Sequence, residues 1–372
     1  MRVLHILGEL KPSGAEVMYH AAAGLWKQEG LDCEILSAGE KLGVFAPTLE
    51  NDGCRIHHIP FSARAGLVAS ARHLVAVYQF LRRNRFDVVH INSEYANFWY
   101  ALVARLAGNR RLFRTIHSNF RFTGFLRLER RIQRWIVRRL FKTTTIAIGP
   151  SVRSTELQCF RNITVVAPNW FDSRRFRPPT KAQRDAARMS LDVAPETTVI
   201  TSVGNCSAVK NHAAIVQALA TIPRRSSLLY LHCGLEDTDQ LEKKLANDLN
   251  VADRVRFLGF VPDVLPLLHA SDIYVMPSLY EGFSISVLEA MGSGLPAILA
   301  RVPGLHDLAD GGSGIEWVEP TAESVAQAIL RFLTAPAEVR QGVGQQLSAT
   351  VHEHFGVEKG ARAYARLYKG GI

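Results

Sequence analysis

The chain has 372 residues, 47% of them hydrophobic and 21% charged, without a low-complexity tract or repeat. That composition fits a globular protein long enough for two domains and excludes a disordered or fibrous chain. No run reaches the roughly eighteen apolar residues of a membrane-spanning helix, and five scattered cysteines without a Cys-x-x-Cys pair fit a reducing cytoplasm better than a disulfide framework or zinc site.

The net charge of +10 is unevenly placed. Residues 1–165 hold 24 Lys+Arg against 12 Asp+Glu, and the remainder holds 20 against 22. From Arg105 to Lys142 there are twelve cations and one acid, Glu129, so the excess is a single patch.

The start, "MRVLHILGELKPSGAE", has an apolar centre too short for a signal peptide and reads as a first strand. Strands are predicted at 2–7, 32–38, 55–60, 87–92, 111–117, 143–149 and 163–167, with helices between them, among them 15–28, 66–84, 95–107 and 125–141. "PNWFDSRRFRPP" (168–179) has no periodicity and reads as a linker. The same alternation then restarts: strands at 197–205, 227–234, 255–260, 272–278 and 296–300, a helix from about 211, and a last helix at 360–370. Short apolar runs alternating with helices are the mark of parallel βαβ units. The expected fold class is α/β, with two Rossmann-like doubly wound domains facing each other across a cleft. The expected boundaries are 1–167, a linker at 168–179, 180–355, and a C-terminal helix at 356–372 that returns to the first domain.

"YEGFSISVLEAMGSGLP" (280–296) places two carboxylates, Glu281 and Glu289, in an apolar setting. Burying either without a partner is costly. The strand before it puts Glu281 in a loop at the strand's carboxyl end, and a helix then begins near Ser284. The amides of Phe283, Ser284 and Ile285 at that helix start would favour an anion such as a phosphate, while the carboxylates accept from ligand hydroxyls. The competing reading is local: Ser286 and Glu289 have capping-box spacing, so Glu289 would only tie the helix start.

"PSLYEGFSISVLEAMGSGLPAILA" resembles the E-x7-E signature of the GT-B retaining glycosyltransferases, specifically the large group-4 family. The likeness extends through 254–278 and 301–308, through "VVAPNWFDSRRFRPP" as the domain linker, and through "SGAEVMYH" (13–20), "DVVHIN" and "RTIHSN". The resemblance implies that Glu289 holds the donor ribose, that Glu281 lies near the transferred sugar, and that the backbone at Phe283, Ser284 and Ile285 holds diphosphate and sugar. In "VGNCSAVKNH" (203–212), Lys210 matches the lysine that meets the leaving diphosphate, but Asn205 stands where the family has arginine, which halves the positive charge expected there. Gly14 matches one glycine of the first-loop pair, and Ser13 replaces the other. His117 matches a histidine facing the transferred sugar and acceptor; His90 is a weaker candidate. Glu94, in the loop after its strand, is either an acceptor contact or a surface acid.

The implied reaction is retaining, metal-independent hexosyl transfer from a UDP- or GDP-linked sugar to a glycan or lipid-linked acceptor, in bacterial surface-polysaccharide assembly, with no cofactor. The basic stretch 124–142 has apolar residues at 125, 128, 132, 135, 136 and 140. Either that face lies on the sheet with a solvated basic rim, or the helix docks on an anionic membrane, with Arg130, Arg131, Arg134 and Arg138 as its cations. A peripheral position on the inner face of the cytoplasmic membrane would follow from docking. Alternatives of the same fold are transfer to a small soluble acceptor and nucleotide-sugar epimerisation. A nucleic-acid-binding protein using the patch would leave both glutamates without a use.

Overall fold

The computed structural model describes residues 1–371 except 13, 63–65, 95, 121, 225 and 309–313. Ser13 and Tyr95, the latter the first residue of one predicted helix, therefore lie outside the described residues.

The chain divides into two compact units, Met1–Trp170 with Val357–Ile372, and Phe171–Gly356. The first alternates β1 (Arg2–Leu7), α1 (Gly14–Gln28), β2 (Asp32–Ser37), α2 (Ala46–Asn51), β3 (Arg55–His58), α3 (Gly66–Asn84) and β4 (Val88–Ile91). It continues with α4 (Asn97–Leu106), β5 (Arg111–Ile116), α5 (Gly124–Arg139), β6 (Thr144–Ala147), α6 (Pro150–Phe160) and β7 (Val165–Val166). The second unit begins with α7 (Lys181–Ser190), β8 (Thr198–Val203), α8 (His212–Thr221), β9 (Leu228–Cys233), α9 (Leu241–Asp248), β10 (Val255–Phe257) and α10 (Leu265–Ala270). It ends with β11 (Ile273–Met276), α11 (Ile285–Gly292), β12 (Ala297–Ala300), α12 (Pro303–His306), β13 (Ile315–Val318), α13 (Ala322–Thr334) and α14 (Ala337–Phe355). The last helix, α15 (Val357–Lys369), belongs to the first unit.

Both sheets are parallel, ordered β3-β2-β1-β4-β5-β6-β7 and β10-β9-β8-β11-β12-β13. Helices cover both faces of such sheets, which is why central strands such as β4 and β11 are buried at every position and read as continuous apolar runs. In each sheet the order reverses once, between β1 and β4 and between β8 and β11. The loops leaving those strands diverge there and leave room for a ligand.

The stretch 168–179 is anchored by its buried aromatics, although its arginines at 174, 175 and 177 are exposed. Trp170 is buried in the first unit, donating from Nε1 to the Met18 carbonyl and packing on Trp26 and Tyr364. Phe171 is buried in the second, with its ring edge where a Cβ on Gly292 would otherwise sit. In the first unit α15 lies on α1: Trp26 Nε1 donates to the Ala361 carbonyl, and Tyr364 and Tyr368 are buried. His90 belongs to this aromatic core, its ring nitrogens bonded to Tyr368 Oη (2.6 Å) and Thr115 Oγ1 (2.8 Å). It is a structural residue, not a ligand contact.

The amphipathic helix α5 is oriented opposite to the expectation that its apolar residues meet the sheet. Phe125, Leu128, Ile132 and Trp135 are exposed, whereas Arg134 is buried with Val137. Arg134 forms a forked ion pair with Glu156 of α6, which also accepts from Asn162, and its guanidinium lies 4.0 Å from the centre of the Phe160 ring. Arg134 therefore cannot serve as a surface cation, because a charge so buried must keep its partner. Arg130 donates to Gln133 and lies over Phe122, and Arg131 and Arg138 are half-buried beside it.

Candidate functional site

In the second unit the candidate residues converge at the switch point. β8 is followed by Gly204, whose carbonyl lies so close to the next strand's loop that a Cβ on Gly234 would approach it to 2.1 Å. Only glycine fits there, so the loops after β8 and β9 run side by side. Asn205 joins them, its Oδ1 accepting from the Leu235 amide at 2.9 Å. The residue that replaces the expected arginine thus fastens two loops and supplies no charge.

The β8 loop is also tied to the loop after β11. Leu279 N donates to the Val209 carbonyl, and Asn211 Nδ2 donates to the carbonyls of Pro277 and Pro320. These bonds bring Lys210 and Glu281 together, 71 residues apart in sequence, with Lys210 Nζ donating to Glu281 Oε1 at 2.6 Å. Ser278 Oγ donates to the same oxygen at 2.9 Å. From the other side, α12 presses on the loop: a Cβ on Gly304 would fall 2.2 Å from the Glu281 carbonyl and 2.3 Å from that of Gly282. Ser278, Asn211 and Gly304 were not singled out in the sequence. Each nevertheless lies in a stretch that carries the family resemblance: Ser278 in 277–300, Asn211 in 203–212 and Gly304, more weakly, in 301–308.

α11 starts at Ile285 with Ser284 as an extended N-cap, and no side chain caps its first turn. Ser286 does not form a capping box with Glu289. Its hydroxyl donates to the Val203 carbonyl and accepts from Tyr274 Oη, which fixes α11 against β8 and β11. Glu289 is left without that local role. It is 8% exposed, and among the described residues no group donates a hydrogen bond to its carboxyl. Burial pushes its carboxyl up to about 8, Arg175 opposes the shift, and Asp172 and Asp263 add to it. Arg175 is itself paired with Asp263, so it compensates Glu289 poorly. Phe283 and Ser284 are buried at the start of this helix, and Phe283 packs on Phe355 of α14.

The remaining candidates lie in the first unit. His117 follows β5 and Glu94 follows β4, on neighbouring strands. Glu94 is a brace and not a free surface acid: one oxygen accepts from Arg114 Nη2 and the other from the His117 amide, both at 3.3 Å. The His117 imidazole is held below its usual pKa by burial, with Glu94 opposing and Arg114 adding, and is therefore neutral at pH 7. Its Nε2 is buried with no partner among the described residues, so a ligand hydroxyl could satisfy it. Gly14 opens α1 in the left-handed region (φ +54°), which a side chain would strain.

Two family models match: "Glycosyl transferases group 1" over residues 183–347 and "Glycosyl transferase 4-like domain" over residues 13–157, which together take in most of the chain. The protein belongs to the GT-B glycosyltransferases of this group. Among curated relatives, an Escherichia coli UDP-Gal:alpha-D-GlcNAc-diphosphoundecaprenol alpha-1,3-galactosyltransferase is 27% identical over 266 residues, 68% of each chain. Anabaena Alr3699/HepE, solved with UDP-glucose, superposes with a TM-score of 0.85 at 20% identity, covering 99% of both chains. WaaG, a glycosyltransferase involved in lipopolysaccharide biosynthesis, superposes with a TM-score of 0.78 at 17% identity, covering 99% of this chain and 100% of that one.

Proposed function

We propose that this protein transfers a hexosyl group, with retention at the anomeric carbon, from a nucleoside diphosphate sugar to a lipid-linked glycan in surface-polysaccharide assembly. The observation that carries the reading is the trio at the β8/β11 switch point: Lys210, Glu281 and the uncompensated Glu289. Each of these groups has a natural partner in such a donor. The ribose diol donates to Glu289 and thereby stabilises its carboxylate. The diphosphate lies against Lys210 and the first amides of α11, where cation and helix dipole both favour an anion. The sugar hydroxyls reach Glu281. As the bond from anomeric carbon to diphosphate oxygen breaks, Lys210 meets the growing negative charge without a metal ion. The acceptor hydroxyl attacks on the face the diphosphate leaves, and its proton passes to the departing oxygen. No side chain of this protein is then needed as base.

The E. coli relative, by its name, uses UDP-galactose and a diphosphoundecaprenol-linked sugar, and HepE was solved with UDP-glucose. These names favour a UDP-linked donor and a lipid-borne acceptor. A thermal-shift screen of UDP- and GDP-sugars tests the donor, since a ligand that binds the native state raises its unfolding temperature. The expected result is stabilisation by a UDP-sugar that Glu289→Ala abolishes. No shift with any sugar nucleotide, or an undiminished shift in the variant, overturns the reading.

A further inference from the structure

In the first unit, α5 exposes Phe125, Leu128, Ile132 and Trp135 at 81%, 51%, 50% and 53% of their surfaces. Their spacing of three, four and three residues aligns them as one ridge about 15 Å long. A water-soluble surface does not leave such a ridge bare without a use. The helix cannot roll to hide it, because Arg134 on the opposite face is locked to Glu156 in the interior. Turning at about 100° per residue, the helix places Arg131 and Arg138 along one flank of the ridge and Arg139 at its end.

We propose that α5 is the membrane-docking element of this protein, inserting the Phe125–Leu128–Ile132–Trp135 ridge among the acyl chains of an anionic bilayer while its arginines bind the headgroups. The inference rests on the proposed lipid-linked acceptor for its purpose and on α5 itself for its geometry. Charge selects the occupant. Residues 124–142 hold seven cations and one acid, and Arg134 alone is neutralised inside. The surplus suits phosphatidylglycerol or another anionic lipid, and an aromatic–aliphatic ridge with a tryptophan suits the depth just below the headgroups. Among the described residues no helix is long and apolar enough to cross a membrane, so attachment through α5 would be peripheral.

The test is co-sedimentation of the full chain with vesicles of phosphatidylcholine, with and without phosphatidylglycerol. The ridge variant is Phe125→Ser/Ile132→Ser/Trp135→Ser, and the flank variant is Arg131→Gln/Arg138→Gln. The ridge positions are exposed, and circular dichroism verifies that the variants fold. The wild type is expected to bind anionic vesicles, the ridge variant about a hundredfold more weakly and the flank variant about tenfold more weakly. A ridge variant that binds like the wild type, or a wild type that ignores anionic vesicles, overturns the proposal. A wild-type dimer in light scattering that the ridge substitutions dissociate also overturns it, since a second copy would then cover the ridge. Donor-induced thermal shifts on the same samples separate the two readings: binding of a UDP-sugar without vesicle binding removes only the docking surface, and vesicle binding without any sugar-nucleotide shift removes only the transferase reading.

Discussion

Glu289→Gln removes one ionisation and keeps the shape of the side chain. Burial raises the Glu289 carboxyl from 4.5 to about 8. Between those values the unfolded chain has released the proton and the native protein has not, so native stability falls as pH rises through this window and levels off above it. At about 1.4 kcal/mol per pH unit, the loss is about 3 kcal/mol at pH 7 and about 5 kcal/mol above pH 8. A glutamine pays only the desolvation of a neutral amide, much as the protonated acid does, at every pH. The stability difference between variant and wild type should therefore climb by several kcal/mol from pH 5 to pH 9, with the variant more stable at the alkaline end. Urea unfolding of both proteins, followed by a probe in the second unit, measures that difference while the other titrating groups cancel. The donor supplies a second readout. A ribose diol favours the carboxylate, so wild-type donor affinity should rise with pH up to about 8, and the variant should bind weakly throughout. A stability difference that stays constant from pH 5 to pH 9 would refute the argument that Glu289 is an uncompensated buried acid.

Lys210→Ala is expected to lower turnover by 10²-fold or more while donor affinity falls less, because charge accumulates on the diphosphate as the bond breaks; comparing kcat with the donor dissociation constant checks it. Gly304→Ala forces a methyl group onto the Glu281 and Gly282 carbonyls. It should cost about 1–3 kcal/mol of stability and depress turnover by displacing Glu281, as measured by urea unfolding and a transfer assay. Arg134→Ala strands Glu156 in the interior and should destabilise the first unit by about 3–5 kcal/mol. The double variant Arg134→Met/Glu156→Leu should recover much of that loss, and a double variant as unstable as the single one would contradict the pairing.

The strands of both sheets were legible because parallel strands buried on two faces are short continuous apolar runs, and β1 (Arg2–Leu7) matches the predicted span residue for residue. β13 was not, because "IEWV" lies at a sheet edge and has neither a long apolar run nor a clean alternation. α14 was hidden by its composition. It carries three glutamines and two histidines and buries few residues, so the helical period is faint. The direction of α5 could not be read at all. Periodicity identifies an apolar stripe, but which stripe faces inward was decided by Glu156, seventeen residues beyond the helix's last arginine (Arg139) in another helix. In the candidate site, Glu281, Lys210 and Glu289 were legible from their spacing and family resemblance, whereas the positioning roles of Ser278, Asn211 and Gly304 emerge only when the fold brings them together.

The fate of Asn205 follows from the same assembly. An arginine there would have added a second cation, but this chain uses the position to bond the Leu235 amide, so Lys210 is the cation at the end of β8. That single charge is already engaged by Glu281, which leaves the pair close to neutral overall. In the proposed reaction a diphosphate would compete with the Glu281 carboxylate for Lys210 Nζ. As the lysine turned to the phosphates, Glu281 would be freed to accept from the sugar. One ion pair would thus become two ligand contacts in a single exchange. Ser278, bonded to the same carboxylate oxygen, would keep Glu281 in position while its partner changes. A site arranged in this way discriminates by requiring both ends of the donor: a phosphate to draw the lysine away, and a sugar hydroxyl to satisfy the carboxylate it leaves behind.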